Sequence, residues 1–194
     1  MPLFTDNFSY APGDLHTANA SWVELISTFN VVAGGGVCGG TPIVNALVAY
    51  EGVTLNPNQQ ATVIIANPAE RVGPAVRCSA SGGGNAYWTR PNDGGTGCDV
   101  YKIVAGGYTN IGSTSSGITW ATGDVLKITV FGSTITVLRN GALIASVIDS
   151  SLTTGSYAGM MCDSVSNSTS GASQFSCDNY YGFVSLCGAF GVGI

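Results

Sequence analysis

The sequence predicts an all-β protein folded as an antiparallel two-sheet sandwich, a jelly roll of about a dozen strands. Short segments rich in β-branched and apolar residues recur along the 194-residue chain, and turns containing Gly, Pro or Asn separate them. Apolar residues nowhere keep the spacing of an amphipathic helix over about ten residues. A chain of many short strands buries its apolar surface by packing one sheet against another.

The clearest strand signal is the segment 124–149, which predicts three antiparallel strands joined by two tight turns. Gly132 and Ser133 suit a type II′ turn, in which glycine occupies the first central position. Asn140 and Gly141 form the pair that is typical of a type I′ turn. Both turns match the twist of a hairpin, so they predict where each strand ends and the next begins.

These turns also predict the register of the three strands. Ile128 faces Val137 in this register, and Val137 faces Ile144 on the third strand. The face predicted to be core consists of Leu126, Ile128, Val130, Ile135, Val137 and Ile144. The opposite face, which is apolar enough that we expect partial cover, carries Lys127, Thr129, Phe131, Thr136, Leu138, Leu143 and Val147.

The remaining strands are predicted before and after this segment, and a short helical turn is considered near residues 56–60. The strands are predicted at 4–10, from 21, and at 29–33, 43–50, 60–66, 73–79, 85–90, 99–104, 108–112, 156–165 and 174–184.

The composition is unusually poor in charge. Charged residues make up 9% of the chain, against roughly 25% in ordinary globular domains. Surface polarity must therefore come from Ser, Thr and Asn, which favours a secreted or particle-forming protein. The net charge is −5 with only two lysines and four arginines, so no basic stripe exists to follow a phosphate backbone. Nucleic acid is not an expected partner.

Neither end of the chain resembles a membrane or export signal. The start, MPLFTDNFSY, has no basic region followed by an apolar one, as a secretory signal would. The longest apolar run, GFVSLCGAFGVGI at the other end, is too short and too rich in glycine to span a bilayer. A start at Met1 without a leader favours a virion protein, which is made in the cytosol and ends outside the cell.

Six cysteines are present, and none forms a CxxC motif or a Cys/His cluster of zinc-site spacing. Cys162 and Cys177 lie symmetrically about a polar stretch at 167–173, so a hairpin there would place them opposite each other. The sequence therefore predicts a Cys162–Cys177 disulfide. The alternative is that the cysteines are reduced and act as small apolar residues in the core.

Several motifs together resemble a known family. FTDNFSYAPGDLHTANASWVEL, AYEGVTLNPNQQATVIIA and GDVLKITVFGSTITVLRNGALIASVIDSSLTTGSYAG follow one another as in concanavalin-A-like, laminin-G-like jelly-roll modules. The resemblance covers about residues 4–182, so we divide the chain into a domain at 1–182 and an apolar tail at 183–194. It implies two curved antiparallel sheets, with a glycan groove on the concave one. Similar modules serve as lectin-like domains, as parts of secreted glycan-active enzymes, and in phage tail and capsid-surface proteins.

Catalysis is not expected. Glycoside hydrolases of similar fold use an E-x-D-x-x-E strand, which places two carboxylates on one face. No such run occurs here, and Glu24, Glu51 and Glu70 lie on separate segments. Asp163 and Asp178 could meet in space, but a solvated or metal-binding pair is the commoner explanation. There is also no GxSxG motif around a nucleophilic serine.

Calcium is considered because similar jelly rolls often join their first and last strands through this ion. Oxygen ligands could come from Asp6, Asp14, Asp163 or Asp178. Asp6 and Asp178 are the favoured pair, and no cofactor is otherwise expected. The alternative is that Asp6 and Asp14 cap the turn between them.

A glycan site needs aromatic faces beside amides or carboxylates. Tyr87 and Trp88 are neighbours in a predicted strand, so their side chains point to opposite faces and only one of them can be core. With Tyr101 and Asn85 they form the predicted glycan-binding set. The alternative is that these aromatic residues pack the two sheets together.

The apolar tail must be covered, because an apolar end left in water promotes aggregation. It either folds back over the face that holds Phe131 and Leu138, or docks on a neighbouring subunit. The residues predicted to mediate assembly are Phe183, Leu186, Phe190 and Val192.

The sequence therefore favours a non-enzymatic structural or decoration protein of a virion, with a lectin-like jelly roll that could adhere to cell-surface glycans. Its expected partners are copies of itself or other virion proteins, and its expected location is the virion surface or the extracellular space. The alternative is a carbohydrate-binding module of a secreted bacterial protein.

Overall fold

A computed structural model of the chain describes residues 1–32, 36–39, 45–92, 95–114, 117–163 and 171–182. Most of these residues belong to β-strands, and all strand pairings are antiparallel. The strands are β1 (Phe4–Asp6), β2 (Gly13–Asp14), β3 (Trp22–Ile26), β4 (Phe29–Val31), β5 (Val37–Gly39), β6 (Asn45–Tyr50), β7 (Gln59–Ile65), β8 (Val72–Cys78), β9 (Ala86–Pro91), β10 (Cys98–Val104), β11 (Gly107–Thr114), β12 (Val125–Phe131), β13 (Thr134–Arg139), β14 (Ala142–Ile148), β15 (Tyr157–Asp163) and β16 (Ala172–Asn179).

Two sheets contain these strands. Sheet A runs in the order β14-β13-β12-β7-β16-β5-β4-β2, and β1 also pairs with β16. Sheet B runs in the order β11-β10-β9-β8-β15-β6-β3. Neighbours in each sheet are often far apart in sequence, as in a jelly roll, where the chain crosses repeatedly from one sheet to the other. The predicted all-β antiparallel sandwich is confirmed.

The core lies between the two sheets and is built by alternation along each strand. In β7, for example, Ala61, Val63 and Ile65 are buried, while Thr62 and Ile64 between them point outward and are partly exposed. Side chains that face the other sheet define the inner face of each sheet, and those that point away define its outer face. The largest side chains that this core buries completely are Trp22, Tyr87, Phe8, Phe29 and Phe175.

Both predicted hairpin turns are confirmed. Gly132 has a φ of 58°, as the first central residue of a type II′ turn requires. Asn140 and Gly141 have φ values of 49° and 84°, the pair of left-handed residues that defines a type I′ turn. On β12 and β13 the register is also as predicted, because Ile128 faces Val137 across the ladder.

The register between β13 and β14 differs from the prediction. Val137 faces Ala145, while the next residue, Leu138, faces Leu143, so Ile144 is an extra residue in β14. This is a β-bulge, which lets the strand bend and shifts the alternation of every later residue. The predicted pairing of Val137 with Ile144 is therefore wrong, although Ile144 does pack partly buried at the edge of the core.

The bulge also changes the face of Val147. It was predicted to point outward, but it faces Ile135 and packs partly buried against the inter-sheet core. A Cβ atom placed on Gly112 of β11 would lie 2.5 Å from Val147 Cγ2, so the two edge strands touch here. Phe131 and Leu143 do point outward, as predicted, and are 48% and 63% exposed.

The helical segments are very short. An α-helix spans Leu15–Ala18 and is capped by Asp14, whose side chain accepts a hydrogen bond from Thr17 N at 3.0 Å. A 3₁₀ helix spans Pro68–Glu70. Segments of one turn leave no periodic pattern in a sequence, which is why neither was predicted. Among the described residues, no helix is long and apolar enough to cross a membrane.

Candidate functional site

Three aromatic side chains line up on the outer face of sheet B. Trp88 on β9 is paired with Tyr101 on β10, and their rings stack with centroids 5.0 Å apart. Tyr108 on β11 meets Tyr101 edge to face at 5.9 Å. Exposure increases along this row, because Trp88 is 1% exposed, Tyr101 is partly exposed and Tyr108 is 49% exposed. The row therefore ends in an accessible aromatic surface at the edge of the sheet.

A network of ion pairs lies beside the aromatic row. The Arg90 guanidinium lies 5.7 Å from the centre of the Trp88 ring and 5.4 Å from that of Tyr101, and it donates a hydrogen bond to the Tyr101 hydroxyl at 3.0 Å. Arg90 Nη2 also lies 3.4 Å from carboxylate oxygens of both Asp99 and Asp163. Alternation produces this cluster, because Asp99 is opposite Arg90 in the ladder between β9 and β10.

Polar groups at the sheet edge complete the site. Ser113 Oγ donates to Asp99 Oδ1 at 2.8 Å, and Asn110 Nδ2 lies 3.5 Å from the same oxygen. Both residues are on β11 and close to solvent, like Tyr108. A β-bulge opposite Val100 and Tyr101 shifts the register here, so that Asn110 and Ser113 converge on one carboxylate although they are three residues apart. We call Arg90, Asp99, Tyr101, Tyr108, Asn110 and Ser113 the edge site.

The structure brings together only part of the predicted glycan-binding set. Trp88 and Tyr101 do meet, but Trp88 is covered and offers no free ring face. Tyr87 points to the inner face and belongs to the core, as the alternation of neighbours predicts. Asn85 lies just before β9, where its side-chain oxygen accepts a hydrogen bond from Ala105 N at 2.8 Å and joins two turns. Tyr87 and Asn85 are thus placed away from the aromatic row.

Tyr87 instead takes part in a network at the rim of the core. Its hydroxyl donates to Asp149 Oδ1 at 2.6 Å, while Lys102 Nζ lies 3.1 Å from Asp149 Oδ2 and 2.8 Å from Ser151 Oγ. Burial acts to raise the pKa of Asp149, but hydrogen bonds from Tyr87, Ser151 and Lys102 outweigh it and hold the pKa well below its usual range. Burial, together with the bond to Asp149, raises the pKa of Tyr87 to about 12.

Asp163 and Asp178, which were considered as a pair that could meet in space, lie apart in the structure. Asp163 lies on the outer face of sheet B and Asp178 on the outer face of sheet A, so the two cannot meet. Asp163 is instead grouped with Asp99 through Arg90. One oxygen of each carboxylate lies 3.4 Å from the same nitrogen, Arg90 Nη2. No motif pointed to this pair, since the two residues are distant in sequence.

The residues favoured for calcium are also separated. Asp6 faces Phe175 in the ladder and points to the inner face, where it accepts hydrogen bonds from Phe8 N, the Tyr10 hydroxyl and Trp22 Nε1 at 2.7 to 2.8 Å. Asp178 is three residues further along β16 and points to the outer face. Asp6 therefore acts as a cap for the turn that follows β1. Within the described ranges, no group of three or more His, Cys, Asp or Glu side chains could hold a metal ion.

The predicted Cys162–Cys177 disulfide is wrong. The two residues lie on β15 and β16, which belong to different sheets and do not form the expected hairpin. Both are buried free thiols, as are Cys78 and Cys98, and Cys162 Sγ lies 3.7 Å from the carbonyl oxygen of Glu70. Burial raises the pKa of Cys78, Cys98 and Cys177, the last to about 12, so these thiols stay protonated and are poor nucleophiles.

The residues predicted to mediate assembly, Phe183, Leu186, Phe190 and Val192, lie outside the described residues. The chain just before them does touch the face predicted to need cover. The Tyr180 ring meets Phe131 edge to face at 6.2 Å, and a Cβ atom on Gly182 would lie 3.4 Å from the Phe131 ring.

Comparison by sequence identifies no relatives. No protein-family model matches the chain, and no significant match is found among curated proteins. Solved structures are similar in fold. The carbohydrate binding module CBM66 from Bacillus subtilis has a TM-score of 0.59 at 13% identity, over 82% of this chain and 92% of the module.

Two further structures are similar over nearly the whole of this chain. The GH43 protein BlXynB from Bacillus licheniformis has a TM-score of 0.54 at 14% identity over 91% of this chain, which spans only 39% of BlXynB. A Bacillus subtilis protein of unknown function with a galectin-like fold has a TM-score of 0.52 at 9% identity, over 92% of this chain and 96% of that protein. At these identities the likeness establishes the β-sandwich fold alone.

Proposed function

We propose that this protein is a non-catalytic glycan-binding module and that it binds sugars at the edge site on the outer face of sheet B. The observation that carries the proposal is the row from Trp88 through Tyr101 to Tyr108 beside the ion pairs of Arg90. Aromatic faces next to charged and amide groups are what sugar recognition requires. The fold is also that of the carbohydrate binding module CBM66.

Each part of the edge site has a role in this proposal. Tyr108 is half exposed and offers a ring on which the apolar face of a sugar stacks. Asp99, Asn110 and Ser113 hydrogen-bond to the sugar hydroxyls beside that ring. Trp88 and Arg90 lie beneath them and hold Tyr101 and Asp99 in place, which reduces the entropy lost on binding.

The proposal also specifies the charge of the ligand. Arg90 is neutralised by Asp99 and Asp163, and Arg71 lies 3.5 Å from Asp163, so each of these cations has a carboxylate partner. An acidic sugar would have to displace one of these carboxylates. We therefore expect a neutral glycan.

Hydrolysis is not part of the proposal, although Asp99 and Asp163 lie near each other. A glycosidase needs one carboxyl group that protonates the leaving oxygen and a second that attacks or activates water. Here one guanidinium holds both carboxylates, and the side chain of Asp99 is only 14% exposed. Neither group is free to reach both sides of a sugar.

A glycan array followed by calorimetry tests the proposal with three variants. Tyr108→Ala and Asn110→Ala should each reduce affinity at least tenfold, because each removes a contact with the sugar and leaves the buried layer intact. Phe131→Ala is the matched control, since Phe131 is 48% exposed on the other sheet. Binding that survives both edge-site variants, or that is lost in the control, would contradict this location, and released reducing sugar would contradict the non-catalytic role.

The proposal also concerns the kind of protein or particle to which the module belongs. We favour a lectin-like component of a virion surface, and the alternative remains a binding module of a secreted bacterial protein. Both readings rest on the low charge and the β-sandwich fold. The genes that flank this one distinguish them, since structural virion genes are expected in the first case and glycan-degrading enzymes in the second. Calcium also remains a proposal, and a melting temperature unchanged by a chelator would oppose it.

A further inference from the structure

A polar pocket opens between the loops that lead into β9 and β15, at the end of sheet B where β11 begins. Its volume is about 510 Å³, within the roughly 300–1,000 Å³ that is usual for sites of small ligands. Its lining includes hydroxyl groups, an amide and an aromatic ring, which come from Ser79, Asn85, Ser151, Thr153, Thr154 and Tyr157. We call it the loop pocket.

Buried polar side chains hold one wall of the loop pocket in place. Gln59, which is 0% exposed, donates from Nε2 to the carbonyl oxygen of Gly155 at 2.6 Å. Arg77, which is 3% exposed, donates to the carbonyl oxygen of Leu152, and the Tyr87 hydroxyl accepts a hydrogen bond from Leu152 N at 2.9 Å. Gly155 has a φ of 142°, and a Cβ atom there would clash with the backbone of Arg77. This wall is therefore fixed before any ligand binds, which reduces the entropy lost on binding.

The groups that face the loop pocket are available to a ligand. Among the described residues, the hydroxyls of Thr153, Thr154 and Tyr157 have no hydrogen-bond partner, and Asn85 Nδ2 has none either. Both threonines are exposed, and Tyr157 is partly exposed. Hydroxyl and amide groups around an aromatic ring suit a sugar residue, as they do at the edge site.

The loop pocket offers no unused charge. Arg77 is the one charged residue among the described residues that line it. Each of its three guanidinium nitrogens donates to a carbonyl oxygen of a neighbouring loop, at Pro57, Gly132 and Leu152. Nearby, Lys102 is paired with Asp149. A neutral sugar therefore suits this pocket better than a carboxylate or a phosphate.

The loop pocket lies close to the edge site. Tyr108 faces Ile103 across the ladder of β10 and β11, and Ile103 faces Ala86 across the ladder of β9 and β10. Tyr108 and Ala86 are thus two strand spacings apart, which is about 10 Å. Asn85, which lines the pocket, directly precedes Ala86. One glycan chain of several residues can therefore reach from Tyr108 into the loop pocket.

We propose that the loop pocket is a second sugar-binding subsite that forms one extended site with the edge site, so that the ligand is a neutral oligosaccharide rather than a single sugar. The inference rests on the proposed function, because the edge site supplies the first contact. Once one part of the chain is bound, the rest is held near the second subsite at a high effective concentration. A hexasaccharide should therefore bind at least about tenfold more tightly than the disaccharide of the same sugar.

Calorimetry with neutral oligosaccharides tests the inference, and the probes are disaccharides and hexasaccharides of glucose, xylose, mannose and galactose. Thr154→Trp fills the pocket from an exposed position, so it should lower the affinity for the best hexasaccharide to that for the disaccharide and leave the disaccharide affinity unchanged. Thr154→Val removes only the hydroxyl and should weaken hexasaccharide binding about fivefold, the equivalent of one hydrogen bond. Thr5→Trp and Thr5→Val, at an exposed position on β1 of sheet A, are the matched controls and should change neither affinity. Circular dichroism confirms that each variant is folded.

The outcomes separate this inference from the proposed function. Equal affinity of wild type for the two lengths, or tight hexasaccharide binding that survives in folded Thr154→Trp, would overturn the second subsite and leave the edge site in place. Tyr108→Ala should weaken binding of both lengths. If it weakens neither while Thr154→Trp abolishes binding, both the edge site and the extended site are wrong. A wild type that binds none of these probes would overturn both proposals.

Discussion

The outer faces of the two sheets are built in different ways. On sheet A the outward residues of β7, β12 and β16 are mostly small or polar, such as Thr62, Lys127 and Ser176, and they are partly exposed. On sheet B the outward residues Leu47, Ile103 and Met161 are fully buried, although they point away from sheet A. Sheet A therefore has one face in the core, whereas sheet B has apolar residues buried on both faces.

This difference indicates where a ligand can be held. A face of small and polar side chains that are mostly in contact with water offers few groups that packing holds in place. A face on which Trp88 and Ile103 are packed fixes the residues next to them, such as Tyr101 and Arg90. Preorganised groups lose less entropy on binding than mobile ones. For this reason the edge site belongs to sheet B.

The largest expected effect compares one outward residue on each sheet. Ile103→Asp puts an unpaired charge into the buried outer layer of sheet B and should destabilise the protein by roughly 3 kcal/mol or more. Thr62→Asp on sheet A should cost less than about 1 kcal/mol, since its side chain stays in contact with water. Urea denaturation of both variants measures the difference. Equal losses would mean that the two outer faces are alike.

The next comparison uses two arginines that lie over aromatic rings. Arg90 is buried between Asp99 and Asp163 on sheet B, so Arg90→Met should cost about 3 kcal/mol because two carboxylates lose a partner. Arg139 pairs with Asp124 beside Trp120 and its side chain is 26% exposed, so Arg139→Met should cost about 1 kcal/mol. Thermal denaturation of both variants measures the two losses of stability. A larger loss in Arg139→Met than in Arg90→Met would contradict this prediction.

Two carboxylates, one beside each sheet, should contribute differently to the dependence of stability on pH. Hydrogen bonds outweigh burial and lower the pKa of both Asp149, beside Tyr87 of sheet B, and Asp124, beside Asn140 and Arg139 of sheet A. A lowered pKa stabilises the fold above the unfolded value of about 4, and this contribution is lost as the pH falls further. Asp149 has the stronger shift.

We therefore expect the melting temperature of wild type to fall below about pH 4. Asp149→Asn should reduce this fall of the melting temperature at acid pH more than Asp124→Asn does. Melting temperatures between neutral and strongly acidic pH check the order of the two variants. If the melting temperature of Asp149→Asn falls with acid pH as steeply as that of wild type, the Asp149 carboxylate does not contribute to the pH dependence of stability.

The smallest expected effect is on sheet A. Thr129 and Thr136 face each other on the outer face, and their hydroxyl oxygens are 2.5 Å apart. Replacing either one with valine leaves a hydroxyl without this partner and should cost about 1 kcal/mol. The double valine variant should lose less than the sum of the two single variants. Additive losses in urea would show that the hydroxyls do not interact.

Features that depend on neighbours in the chain were predicted well. The turns at Gly132 and Asn140 and the pairing of Ile128 with Val137 follow from a few adjacent residues. The prediction failed first at Ile144, because a bulge of one residue leaves no mark in an alternating pattern. The aromatic row was predicted in part, since Trp88 and Tyr101 were chosen, but Tyr108 and Arg90 were not assigned to the site.

By itself the sequence determined the all-β class, the hairpins of β12 to β14, and the opposite directions of Tyr87 and Trp88. These properties depend on turn geometry and on alternation along one strand, which act over a few residues. The tertiary structure alone decided that β15 and β16 join different sheets. That choice separates Cys162 from Cys177, places Asp163 with Asp99, and leaves β14 at an edge. Contacts between distant strands depend on packing of the whole sandwich, which no local pattern records.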